Sequence, residues 1–231
     1  MNQVRIFVGY DSRTPAAFWI LRASILRHSP EVQVYPIVQQ LLRMQGRYYR
    51  PPDPLAATEF TYTRFLVPSL ANYEGLALFM DCDMLVRGDL VELFDEFCQK
   101  GEAVSCVQHD HHPPEDTKMA GEVQTLYPRK NWSSLVLYNC GHPANCKLSV
   151  ASANQMSGAE LHQFKWLKDH EIGSLPLEWN WLEGWNTVEE CSNPKVVHFT
   201  RGIPGIHPGY SHVAYAQEYL DFANTLKGDL L

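Results

Sequence analysis

A short apolar run that stops in two carboxylates constrains this chain more than any other feature in it. Residues 76–89 read Leu-Ala-Leu-Phe-Met-Asp-Cys-Asp-Met-Leu-Val-Arg-Gly-Asp. Leu76 to Met80 has the length of a buried parallel strand; it is too short for a membrane span and lacks helical spacing. In open α/β sheets ligands bind outside the carboxyl ends of the strands, and Asp81 and Asp83 stand at such an end. Two apart on an extended segment, they can point the same way. Carboxylates converging in a partly dry cleft repel each other, and a bound cation relieves that repulsion. Oxygen ligands favour Mg2+ or Mn2+, ions that keep room for phosphate oxygens.

Upstream, Val4 to Val8 reads as a strand, broken by Gly9-Tyr10-Asp11-Ser12. Pro15 suits the first turn of a helix whose apolar face is expected at Ala16, Ile20 and Ala23, with Ala17 and Leu21 beside it. Arg27 and His28 complement the negative end of its dipole. Glu31 to Val38 returns as a strand, so the chain opens β-α-β with its two strands parallel. No GxGxxG follows the first strand, so a dinucleotide cofactor is not indicated. A nucleotide would instead meet the loop from Gly9 to Arg13, where Tyr10 can stack on a base and Asp11 can accept from base or ribose. Ordinary turn chemistry is the competing reading of both residues.

Gln39 to Ala57, with Pro51, Pro52 and Pro54, is expected as a long irregular excursion near the site. Thr58 to Leu70 is expected as a short helix carrying Arg64, whose fork of donors can reach a phosphate or sugar hydroxyl. Asp89 is positioned to cap a helix from Leu90 to about Gln99. Ala103 to Val107 is a further strand. It leads into His109-Asp110-His111-His112, which we read as lining for an acceptor pocket rather than as a metal site. Strands at Ser134 to Tyr138 and Lys195 to Phe199, and helices near 145–155, 160–168 and 212–226, complete the pattern. The segment Leu175 to Trp185 holds three Trp without a clear period; sugar stacking and core filling both explain it.

The 231 residues carry a net charge of −7 and no basic block, which argues against nucleic acid as a partner. No apolar run approaches the ~18 residues of a membrane helix, and no signal peptide is visible. Six scattered Cys without a CxxC pair read as free thiols, so a cytoplasmic location is expected. No repeat or linker is visible, and one domain over 1–231 is the expectation. Tyr10-Asp11, Asp81-Cys82-Asp83 and His198, each at a strand end, would then share one rim. That set suits a metal-held diphosphate, with Arg64, Arg201 and the Gly202 amide as further donors, and a nucleotide sugar is the common molecule of that kind.

Four stretches together resemble glycosyltransferase family eight, the group of glycogenin and the bacterial lipopolysaccharide galactosyltransferases. They are Ser24-Ile25-Leu26-Arg27-His28-Ser29, Thr61-Tyr62-Thr63-Arg64-Phe65, Phe79 to Val86, and His198-Phe199-Thr200-Arg201-Gly202-Ile203-Pro204. The resemblance runs from about Val4 to Pro204. It implies an α/β fold of the GT-A type: a single Rossmann-like domain with a mixed, mostly parallel central sheet flanked by helices. It also implies a UDP-sugar as donor, a glycan or other carbohydrate as acceptor, Mn2+ (or Mg2+) held by Asp81, Asp83 and His198, and transfer of a hexose with retention. Val8, Gly9, Tyr10 and Asp11 would line the uridine site, Cys82 would lie within the metal motif, and Arg64 would contact the donor. This sequence departs from the family in three places. The Lys after the late glycine is missing, and Arg201 stands in for it. The Asn-Ala-Gly segment reads Trp132-Ser133-Ser134. The Asp-Gln pair near the reacting carbon has Glu160, His162 and Gln163 as its nearest counterparts. Two other readings compete. One is a non-catalytic nucleotide-sugar binder. The other is a haloacid-dehalogenase-like phosphatase, whose Asp-x-Asp usually lies on the first strand and continues Gly-Thr, unlike Met84-Leu85 here.

Overall fold

The fold grows from strand β1 (Arg5–Gly9), whose β-branched and aromatic residues are buried on both faces, as a central parallel strand requires. In this computed structural model, residues 4–54, 56–97, 101–110, 129 and 131–229 are described. Helix α1 (Pro15–His28) follows β1 and returns the chain to β2 (Gln33–Ile37), parallel to β1 in the register Val8↔Pro36. The buried face of α1 is not the expected one. Ala17, Phe18, Leu21, Ser24 and Ile25 face inward, whereas Ala16 is exposed and Ile20 and Ala23 are only partly covered. The helix is turned by one residue because Phe18 and Ile25 offer more apolar area than two alanines.

The central sheet has the order β2-β1-β3-β6-β5-β7, with β3 (Leu76–Met80), β5 (Val104–Cys106), β6 (Leu135–Asn139) and β7 (Ile172–Ser174). Only β6 runs antiparallel to its neighbours, so the sheet is mixed and mostly parallel, as expected. A second sheet, β4-β9-β8, joins β4 (Met84–Val86), β9 (Val196–His198) and β8 (Trp181–Leu182). Strands β4, β7 and β8 are additions to the sequence reading; at two or three residues each they are too short to show a period. Ser24 of α1 ties this second sheet to the first helix: its hydroxyl donates to the Leu21 carbonyl and accepts the Val86 N–H at 3.2 Å.

Several expected elements change in detail. The excursion after Val38 begins as helix α2 (Gln39–Met44). Its continuation is pinned by Asn154 of helix α5 (Val150–Gln155), which accepts from the Tyr49 and Arg50 amides and donates to the Arg47 carbonyl. The stretch holding Arg64 is a 3-10 turn, Thr63–Leu66, running into the single-turn helix α3 (Val67–Leu70). Asp89 does cap helix α4 (Leu90–Phe97): its Oδ1 accepts the Val91 N–H at 2.9 Å. Of the aromatic segment, Trp179 and Trp181 are core, while Trp185 is partly exposed. Core filling therefore accounts for the first two. His111 and His112 lie outside the described residues. Helix α6 (Gly158–His162) and the terminal helix α7 (Ala216–Asp229) complete the order. Among the described residues no helix is long and apolar enough to cross a membrane.

Candidate metal centre

The register of the sheet delivers three loops to one place. Val8 of β1 pairs with Met80 of β3, so the Gly9–Asp11 loop and Asp81 leave the sheet side by side. Leu135 of β6 also pairs with Met80, and because β6 is antiparallel its first residues arrive at the same rim. The Asp81 amide accordingly donates to the Ser134 carbonyl at 2.9 Å. His198 comes by a different route from the one expected. It does not end a strand of the main sheet. It lies opposite Met84 in the β4–β9 pair, so the strand leaving Asp83 brings the imidazole back to it, and the Phe199 amide seals the corner on the Asp83 carbonyl.

The result is a cluster in which one ligand atom each from Asp81, Asp83 and His198 lie within 4.8 Å of one another. His198 Nε2 is 3.2 Å from Asp83 Oδ1, and Arg64 Nη1 is 2.8 Å from Asp81 Oδ1. Both carboxylate oxygens are buried, yet neither receives a well-aligned hydrogen bond. Buried charge ordinarily finds aligned donors or a metal. Burial pushes the Asp81 carboxyl above the ordinary carboxylate range, Arg64 pulls the other way, and the like charge of Asp83 adds to the rise. Burial also pulls the His198 imidazole down, but Asp83 beside it prevails and holds it above its usual value. The Asp81 rise is led by burial; the His198 rise comes, against burial, from the negative charge beside it. Two carboxylates and an imidazole fit a divalent cation such as Mn2+.

The other named residues have visible partners. Val8 is core, and Gly9 lies under the Phe60 ring: a Cβ there would sit 2.4 Å from Phe60 Cγ, so the glycine is required by packing. Tyr10 packs edge-on against Phe18. Asp11 is nearly fully buried and performs turn chemistry. Its oxygens accept from the Arg13 amide and guanidinium and from the Glu59 amide. Burial alone would raise its carboxyl, but those bonds to Arg13 and Glu59 hold it below the ordinary range. A depressed folded-state pKa gives stability that is present above the unfolded value and lost as pH falls through the folded one. Asp11→Asn should therefore cost about 1 kcal/mol at neutral pH, a charged bond discounted for the exposed Arg13. In thermal melts the gap to wild type should close below about pH 4; a gap that is flat with pH would contradict the assignment.

Cys82 is buried between the two acids, and burial followed by their charge drives its thiol well upward, so it stays protonated. Arg201 is not a free cation. It forks onto the buried Glu183, Nη2 at 2.6 Å and Nε at 3.2 Å, lying over Gly184, whose φ of +77° and absent side chain permit the approach. The Gly202 backbone is buried under Tyr210. Glu160 is exposed, and its carboxylate closes the capping box of α6 on Ser157. The Gln163 carbonyl accepts from Arg129. His162 is the member of that trio that connects with the cluster: its Nδ1 is 2.7 Å from Ser133 Oγ, and the Ser133 carbonyl accepts from Arg64 at 2.9 Å. Asn180 and Glu183 were not singled out in the sequence, and Ser134 only as part of the segment that departs from the family. Asn180 sits between Trp179 and Trp181, where the aromatic residues masked a buried amide.

This fold, with acids at the end of β3, is that of the GT-A glycosyltransferases. Among solved structures the chain is similar to WbbM, a bifunctional glycosyltransferase (TM-score 0.64, 15% identity, 96% of this chain and 49% of that one). It is similar also to the glycosyltransferase GlyE of Streptococcus pneumoniae TIGR4 (0.62, 17%, 96% and 60%) and to the galactosyltransferase LgtC (0.60, 11%, 96% and 95%). It thus spans about half the length of WbbM and three-fifths of GlyE. No family model matches the chain. Protein CDI of Arabidopsis thaliana is 52% identical over 204 residues, covering 87% of this chain and 78% of that protein, and the chain belongs to the family of Protein CDI.

Proposed function

We propose that this chain is a metal-dependent glycosyltransferase, one GT-A domain of the family-eight type, that moves a hexose from a UDP-sugar to a glycan or other acceptor. The observation that supports this most is the convergence of Asp81, Asp83 and His198 at the end of β3. These three would hold Mn2+ or Mg2+. When bound, the ion supplies Lewis-acid neutralisation of charge on the diphosphate leaving group. Arg64 fixes Asp81, and the Gly9–Asp11 loop beside it would meet the nucleoside. Ser133 and His162 extend the wall of the site from Arg64. Retention would follow from a front-face attack in which the leaving phosphate assists the acceptor hydroxyl, since that route needs no carboxylate nucleophile.

A non-catalytic nucleotide-sugar binder is kept as a second reading because the Arg201 fork is occupied by Glu183. Offering a panel of UDP-sugars with Mn2+ separates the two. Release of UDP with sugar transfer or hydrolysis supports the enzyme; metal-dependent UDP binding without release from any donor supports the binder. Arg201→Ala tests the fork itself. Leaving the buried Glu183 unpaired should cost roughly 1–3 kcal/mol, less than a fully buried pair because Arg201 is partly exposed. A urea midpoint unchanged from wild type would argue that the fork is ornamental to the fold.

A further inference from the structure

Asn180 lies between the two sheets, fully buried, with its side-chain amide bridging them. One end is 3.1 Å from His198 Nδ1 and the other 2.9 Å from Ser134 Oγ. Counting protons decides which end is which. A serine hydroxyl has one proton, and Ser134 donates it to the Asn131 carbonyl at 2.7 Å. Toward Asn180 the hydroxyl can only accept, so the NH2 group faces Ser134 and the carbonyl faces His198. A carbonyl only accepts, so His198 Nδ1 carries a proton. The Asp83 carboxylate facing Nε2 also only accepts, so both nitrogens face acceptors. A cation at Asp81 and Asp83 would displace the Nε2 proton and leave the lone pair there, with the Nδ1 proton kept toward Asn180.

We propose that Asn180, held in orientation by Ser134, is a positioning residue that fixes His198 as the Nδ1–H tautomer and so presents Nε2 as the third ligand of a divalent cation at Asp81 and Asp83. The ligand half rests on the metal reading above; the proton held on Nδ1 by Asn180 does not. An acceptor behind a ligating imidazole fixes the ring and raises the basicity of the opposite nitrogen. Ser134 serves both sides of the cluster. Its carbonyl accepts the Asp81 amide, and its hydroxyl, through Asn180, sets His198. One residue directly before β6 thus brings a main-sheet acid and a second-sheet imidazole into common register.

Two measurements test this. Nitrogen-15 NMR of the His198 ring in cation-free protein reads whether Nδ1 is protonated; calorimetry reads Mn2+ affinity. Wild type should show Nδ1–H. Asn180→Leu should mix the tautomers and weaken Mn2+ binding about 10–100-fold. Asn180→Asp keeps an acceptor behind the ring and should retain both the tautomer and, within a few-fold, the affinity. If Asn180→Leu does not fold, Ser134→Ala takes its place: it frees the amide to flip and should broaden or split the His198 resonances, with weaker Mn2+ binding. An unprotonated Nδ1 in wild type, with Mn2+ binding intact, overturns the role of Asn180 and leaves the metal reading standing. Nδ1–H without any Mn2+ binding overturns the metal reading and the ligand half with it. A folded Asn180→Leu or Ser134→Ala variant with wild-type tautomer and affinity overturns the proposal outright.

Discussion

Asp83→Ala is expected to abolish the Mn2+-dependent UDP binding that the proposed function requires: the calorimetric affinity for UDP in the presence of Mn2+ should drop to its metal-free level. The carboxylate removed is one of only two anionic groups in the cluster, and its Oδ1 is buried without a well-aligned hydrogen bond. Losing a group that merely supports a ligand typically weakens metal binding ~10–100-fold, so losing a ligand should exceed the top of that range. The backbone corner is untouched, because the Phe199 amide bonds the Asp83 carbonyl rather than its side chain. Asp83→Asn separates charge from shape. It preserves the volume and the contact with His198 but removes the negative charge, and should bind Mn2+ nearly as poorly as the alanine variant. Wild-type affinity in both variants would remove the cation from this site and the diphosphate with it.

The sequence made Asp81 and Asp83 legible because a strand that ends in charge leaves a local mark: five apolar residues, then two acids. It also made His198 legible, but for an incomplete reason. The histidine follows apolar residues, as a rim residue would, yet it reaches the acids by pairing with β4, a three-residue strand that no periodicity can reveal. Arg201 shows the opposite limit. Its charge and place beside the late glycine suggested a phosphate contact, whereas its partner, Glu183, is a long-range consequence of β8 lying beside β9. Asp11 and Glu160 likewise carry chemistry attractive to a site and are engaged in a turn and a helix cap. Sequence position marks which residues reach a rim; it does not tell which of them the backbone has already engaged.

Arg64→Ala is the variant expected to cost the fold most. Its guanidinium is buried between the Phe60 and Phe79 rings, 2.8 Å from Asp81 and 2.9 Å from the Ser133 carbonyl, so it joins β3, the start of β6 and the 3-10 turn that carries it. Truncation leaves an uncompensated buried carboxylate and a void between two aromatic faces. Breaking a buried pair in this way costs about 3–5 kcal/mol, which should appear as a lower urea midpoint at an unchanged denaturant slope. Arg64→Lys keeps a positive charge but has no planar fork to serve Asp81 and Ser133 together, so it should fall between. On the proposed metal reading the pair would compete with a cation, because both would neutralise Asp81. Mn2+ should therefore raise the melting temperature of Arg64→Ala by more than it raises that of wild type, the ion replacing charge that the guanidinium supplied. Equal shifts in the two proteins would mean that Arg64 and the cation do not share Asp81. A midpoint within about 1 kcal/mol of wild type would mean that Arg64 is held ready for the sugar donor rather than built into the fold.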